Sequence, residues 1–205
     1  GKPVLYYSLK NFEESLVDDV ILVTGADEIA YCRDEIVGKY GFSKVRAIVA
    51  GGKERYHSVY EGLKALGSQL SYGEGDCVLI HDGARPLDTN EVIAQAVSAA
   101  VSCGAAAPAV PVHDTIKRAE SGLVLETPDR STLFAVQTPQ VFRTEEIRSV
   151  LRWAIAQGLP LTDDCSAMEA AGRPVRLTPG DVENLKITTP VDLRIAEAIW
   201  KGRTT

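Results

Sequence analysis

Apolar runs of strand length alternate with amphipathic stretches of helix length along this 205-residue chain. That alternation restricts the possible folds more than any other feature. "DDVILVTG", "KVRAIVAGG" and "DCVLIHDG" are near-continuous apolar runs closed by glycine, as expected of strands buried on both faces. Between them, "KERYHSVYEGLKAL" carries Tyr56, Val59, Leu63 and Leu66 at helical spacing. Residues 3–16 set Leu5, Leu9, Phe12 and Leu16 on one helical face, with Pro3 suited to a first turn. "NEVIAQAVSAAVSCG" predicts a helix capped by Asp88 or Thr89 and closed by Gly104. "GAAAPAVPV" is strand-like although prolines interrupt it. Residues 113–135 fit neither period and predict a projecting hairpin or long loop. "FAVQTPQVF" reads as a strand leading into a turn. Helices at about 144–157 and 163–171, a strand near "RPVRLTPG" and a helix from Pro190 with Leu193, Ala196 and Ile199 complete the order. The expectation is one α/β domain over 1–205, with a mostly parallel sheet and helices on both faces.

Composition narrows the function classes. A formal net charge of -6 argues against a broad nucleic-acid surface, while a few local cations suffice for one phosphate group. No apolar run approaches the roughly 20 residues of a membrane-spanning helix, and no signal peptide is visible. Cys32, Cys77, Cys103 and Cys165 are scattered without a C-x-x-C pair, as reduced thiols of a cytoplasmic protein would be. With three histidines, a zinc site is not expected. His57, His81 and His113 have no helical spacing to one another and read as ordinary polar residues.

In a sheet of this kind, ligands bind beyond the carboxyl ends of the strands. Four stretches fall at such ends. "GGKERYHS" offers backbone that a ligand can approach and the free N–H groups of a helix start. "HDGARP" places Asp82 and Arg85 directly after an apolar strand; Asp82 could hold Mg²⁺ or accept from a ribose, and Arg85 could meet a phosphate or lock the loop by pairing with Asp82. "VHDTIK", "PDRS" and "QTPQ" supply Thr115, Lys117, Arg130 and Thr138, hydroxyls and cations of the kind that contact phosphate. In "TDD" and "ENLKITTP", Thr162 and Thr189 read as N-caps and Asp163 and Asp164 as first-turn acids, whereas Lys186 before a β-branched run has no such local explanation. The chain has no G-x-S-x-G and no P-loop.

Taken in order, "GKPVLYYSL", "GGKERYHSVYEGL", "HDGARP", "DTIK", "DR", "QTPQVF", "TDD" and "NLKITTPVDL" resemble the 2-C-methyl-D-erythritol 4-phosphate cytidylyltransferases of non-mevalonate isoprenoid synthesis. The resemblance implies a Rossmann-like nucleotidyltransferase fold, a homodimer with a projecting dimerisation arm, and Mg²⁺-dependent transfer of CMP from CTP to a sugar-alcohol phosphate. By the same resemblance, Gly52 and Ser58 fall at the cytosine, with Lys53 beside them. Asp82, Gly83 and Arg85 form the loop at the ribose and the methylerythritol phosphate, Asp82 also serving the metal. Lys186 lies near the α-phosphate, and Thr138 is a substrate-side hydroxyl. Thr115 and Arg130 sit on the arm that reaches the partner subunit's site. Lys53 stands where some members carry an acid, and His57 where an acid or amide is frequent, which bears on CTP affinity.

Members of the family begin with a strand, a glycine-rich loop carrying an arginine and a P-K-Q segment, all ahead of "GKP". That strand and triphosphate loop are expected upstream of Gly1. The sister ribitol-5-phosphate cytidylyltransferases share "DT", "QTPQ" and "NLKIT", but "HDGARP" and "RYHSVYEGL" fit the methylerythritol family better. A non-catalytic dimer of the same fold is the alternative if the upstream loop is truly absent. A nucleotide-sugar transferase would be expected to show D-x-D, which does not occur.

Overall fold

The computed structural model describes residues 1–203. Helix α1 (Val4–Glu13) leads into β1 (Val20–Thr24). A 3-10 turn (Ala26–Glu28), the single turn α2 (Ile29–Tyr31) and a π-helical segment (Cys32–Gly38) follow, a helical stretch with no clear sequence periodicity. Then come β2 (Val45–Ala50), α3 (Arg55–Gln69), β3 (Cys77–Ile80), α4 (Asn90–Cys103) and β4 (Ala105–Pro111). The projecting segment is a ribbon, β5 (Arg118–Glu120) and β6 (Leu123–Glu126). The chain returns through β7 (Phe134–Val136), β8 (Gln140–Arg143), α5 (Thr144–Ala156), α6 (Asp164–Ala170), β9 (Arg176–Pro179) and α7 (Pro190–Arg203).

Strands β1 and β2 form one parallel pair. The larger sheet runs β3-β8-β4-β7, with β9 parallel to β4 on its other edge. Strands β3, β4 and β9 share one direction; β8, between β3 and β4, runs against it, as does β7. No ladder joins β1 to β3 among the described residues.

Side-chain alternation sorts the core onto two faces. Ala105, Ala107 and Phe142 pack with Leu63 of α3, Ile147 and Leu151 of α5 and Met168 of α6. Ala106 and Val141 point the other way, against Ala96 and Ala100 of α4. The expected α/β sheet with helices on both faces is therefore present. A smaller cluster of Leu9, Ile36 and Phe42 joins α1 to the π-helical segment.

The proline-interrupted strand is present, and one local expectation, the Thr162 cap, needs correction. Strand β4 is central despite its prolines, pairing with β8, β7 and β9. Pro108 accepts Gln137 N–H through its carbonyl at 2.8 Å. The nitrogen of the same residue faces the same edge, where β8 (opposite Ala105 and Ala106) gives way to β7 (opposite Ala109). The missing N–H thus falls in a break of the ladder. Thr162 does not cap α6: Asp163 is the N-cap, its carboxylate accepting from Ser166 N–H at 2.9 Å. The other caps stand, with Thr89 accepting from Val92 N–H and Gly104 closing α4 at φ 92.

Candidate active site

Residues from all four sequence stretches meet just beyond the end of β3. Asp82 follows that strand, and its backbone N–H donates to Thr138 Oγ1 at 3.1 Å. Thr138 Oγ1 also lies 3.2 Å from His81 Nδ1, and His81 Nε2 lies 3.1 Å from the Arg85 carbonyl. Desolvation of the His81 ring pushes its pKa down to about 4. A neutral ring donates from Nε2 to the carbonyl and accepts at Nδ1 from the threonine. The loop closes on itself through Arg85 N–H to Asp82 O at 2.9 Å. The C-terminal segment joins it through Ile187 N–H to Ala84 O at 2.8 Å and Asn184 Nδ2 to Thr138 O at 3.0 Å. "HDGARP", "QTPQ" and "NLKI" are thus one bonded unit.

Its charges form a line. Lys186 Nζ lies 2.8 Å from Asp82 Oδ2, Arg55 Nε donates to Asp82 Oδ1 at 3.0 Å, and Arg55 Nη1 donates to Asp164 Oδ2 at 2.8 Å. Burial raises the Asp82 pKa, but the hydrogen bond from Lys186 and the charge of Arg55 outweigh it, leaving the carboxyl below its usual range. Arg85 does not pair with Asp82; its Nη1 donates to the Asn184 carbonyl at 2.6 Å. Asp82 is therefore held by two cations from outside its own loop. Sequence reasoning does not single out Asp164, an ordinary first-turn acid, or Arg55; the available signal for Arg55 is a cation opening a helix, which the dipole disfavours.

The glycine pair after β2 is a close-approach turn. A Cβ on Gly51 would sit 2.6 Å from Ser58 Oγ, and one on Gly52 would sit 2.5 Å from His57 Cβ. Ser58 Oγ accepts Gly52 N–H at 3.1 Å, so the turn is fixed by the first turns of α3. Lys53 and Gly83 are exposed beside it and on the Asp82 loop respectively.

The arm residues stand apart. Thr115 is exposed ahead of β5, Lys117 Nζ donates to Thr127 at 2.7 Å, and Arg130 Nη1 donates to the His113 carbonyl at 2.7 Å. No hydrogen bond or ion pair links Arg130 to Asp82 or Lys186 among the described residues.

The fit of Asp82 to Mg²⁺ follows from its surroundings. Both its carboxylate oxygens carry cationic donors. Among the described residues, no group of three or more His, Cys, Asp or Glu could hold a metal ion. A hard cation needs several oxygen donors that are free to face it. In this arrangement Asp82 offers no free oxygen, and a magnesium ion taking it together with substrate phosphates would first have to displace Lys186 or Arg55.

The family model described as 2-C-methyl-D-erythritol 4-phosphate cytidylyltransferase matches residues 1–202. The chain belongs to this family. A family member from Geobacter metallireducens is 46% identical over 204 residues, covering 99% of this chain and 87% of that protein. Another, from Caldanaerobacter subterraneus, is 47% identical over 201 residues, covering 96% of this chain and 86% of that protein. A solved 4-diphosphocytidyl-2C-methyl-D-erythritol synthase from Anaerococcus prevotii superimposes with a TM-score of 0.87 at 32% identity, covering 98% of this chain and 87% of that one.

The Asp82 loop leads on to a buried acid. Asp88 Oδ1 accepts Thr89 N–H at 3.0 Å, while Oδ2 is buried without a partner among the described residues. Desolvation pushes its pKa up to about 7, against the opposing pull of Thr89 and Arg85. A carboxyl raised in the folded state stabilises the fold fully below its unfolded pKa near 3.8 and loses that contribution as pH rises through about 7. Asp88→Asn removes this loss. Its stability relative to the parent is expected to rise between pH 4 and pH 8, by on the order of 4 kcal/mol for a carboxyl moved from 3.8 to about 7. Urea midpoints across that range measure it, and a constant difference would show that Asp88 does not titrate there.

Proposed function

We propose that the protein transfers CMP from CTP to 2-C-methyl-D-erythritol 4-phosphate with release of pyrophosphate. The observation that carries this reading is the bonded unit of "HDGARP", "QTPQ" and "NLKI", with Lys186 and Asp82 at its open side. Family membership over residues 1–202 supports the substrate pair.

A substrate phosphate oxygen attacks the α-phosphorus of CTP in line with the departing pyrophosphate. Such a transfer is catalysed by positioning and by neutralising charge on the equatorial and leaving oxygens. Lys186 is the cation for the α-phosphate. Arg85, Gly83 and Thr138 border the ribose and alcohol-phosphate positions, and the turn at Gly52, Lys53 and Ser58 takes the cytosine. Mg²⁺ enters as a counter-ion brought in on the triphosphate.

A homodimer is part of the proposal. The β5–β6 ribbon exposes Leu123, Val124 and Leu125 in succession, at 73%, 59% and 50%. A two-stranded ribbon is marginal alone, and adjacent exposed apolar residues mark an interaction surface. Thr115 and Arg130 reach the partner's site in this arrangement. Four free thiols and the lack of a helix able to cross a membrane among the described residues are consistent with a cytoplasmic enzyme.

The test is a choice of acceptor. With CTP at equal acceptor concentrations, pyrophosphate is expected to form faster with methylerythritol phosphate than with ribitol 5-phosphate. A clear preference for ribitol 5-phosphate would move the chain to the sister activity.

A further inference from the structure

Arg55 has no part in the functional assignment above, yet it holds the middle of the charge line. It is the first residue of α3, and its guanidinium reaches Asp82 on one side and Asp164 on the other. Asp164 lies 109 residues further along the chain and its side chain is fully buried. Gln140 Oε1 accepts the backbone N–H groups of Asp164 and Cys165, both at 3.1 Å, and Gln140 Nε2 donates to Asp163 at 2.7 Å. The first turn of α6 is thereby fastened to β8. A buried carboxylate holds strongly to the cation that compensates it, so Arg55 is pinned from behind.

Lys186 differs from Arg55. Its side chain is 42% exposed against 33% for Arg55, and among the described residues Asp82 is the only carboxylate within ion-pair distance of it. An ammonium on a flexible four-carbon stem can turn from one anion to another, whereas a forked guanidinium with two fixed partners cannot do so cheaply.

We propose that Arg55 is a positioning residue that frees Lys186 for the phosphate. The proposal rests on the assignment of Lys186 to the α-phosphate. When an anionic phosphate arrives, Lys186 can leave Asp82 only if the carboxylate, 16% exposed, remains neutralised. Arg55, anchored by Asp164, keeps one oxygen of Asp82 paired throughout. Without Arg55, Asp82 has Lys186 as its one remaining counter-charge among the described residues, so the lysine is withheld from the incoming phosphate.

The arrangement predicts a non-additive pair. In the intact enzyme, Arg55→Ala is expected to lower kcat tenfold or more. In a background of Lys186→Ala with Asp82→Asn, where neither the cation it serves nor the carboxylate it neutralises remains, the same change should lower kcat less than about twofold. Arg55→Lys keeps the charge and guards against a folding defect. A single ammonium cannot span both carboxylates, and fully buried Asp164 draws it away from Asp82, so kcat should still fall several-fold with thermal stability near the parent's. Equal losses from Arg55→Ala in the two backgrounds, or normal turnover by Arg55→Lys, would overturn the positioning role. Normal turnover by Lys186→Ala alone would instead show that the assignment of Lys186 had failed.

Discussion

Lys186→Ala is expected to lower kcat about a hundredfold or more while leaving the fold unchanged. Removing one preorganised donor to a developing charge costs roughly 2.7–4 kcal/mol of transition-state stabilisation. The structure separates this effect from stability. Lys186 is exposed, and its backbone segment is held by other groups: Ile187 N–H on Ala84, and Asn184 on Thr138. Asp82 keeps Arg55 when the lysine is lost, so no carboxylate is left bare. Single-turnover rates with saturating CTP, read beside a thermal melt, measure both quantities. A variant with near-parental turnover would make Lys186 a surface lysine paired with Asp82 and nothing more.

Much of this site was legible in the sequence because its residues break a local pattern. Asp82 and Arg85 interrupt a buried strand, and Lys186 precedes a β-branched run without a capping role. Asp164 breaks nothing, since an acid in a first turn is locally satisfied. Arg55 opens a helix, where the dipole disfavours a cation, but the carboxylate that compensates it lies 109 residues away with no periodic signal. The same limit applies to the fold. The alternation of strands and helices follows from apolar spacing, which is local. The central position of β4 follows from where β8 and β7 change over at Pro108, which depends on pairing partners distant in sequence. "FAVQTPQVF" divides into β7 and β8 for a related reason. Gln137 and Thr138 turn their side chains to the Asp181–Asn184 segment and to the Asp82 loop instead of extending one strand.

Mixing inactive Arg130→Ala subunits with inactive Lys186→Ala subunits is expected to restore activity. Within one chain Arg130 is spent on the His113 carbonyl, at the foot of an arm whose strands are exposed throughout. Internal bonds such as Arg118–Glu126 at 2.7 Å shape the ribbon but bury none of its apolar residues. In an isologous dimer each arm packs on the other subunit, and each site combines its own Lys186 with the partner's Arg130. A mixed dimer then holds one site with both native residues and one with neither. Random exchange makes half of the dimers mixed, so recovery should approach about a quarter of the parental rate. Each single variant should remain at least about a hundredfold down, since both remove a cation from the transferring phosphates. Subunit exchange is verified separately with differently tagged chains. If exchange is complete and the mixture stays inactive, Arg130 does not act across the interface, and the exposed Leu123–Leu125 surface of the arm has some other purpose.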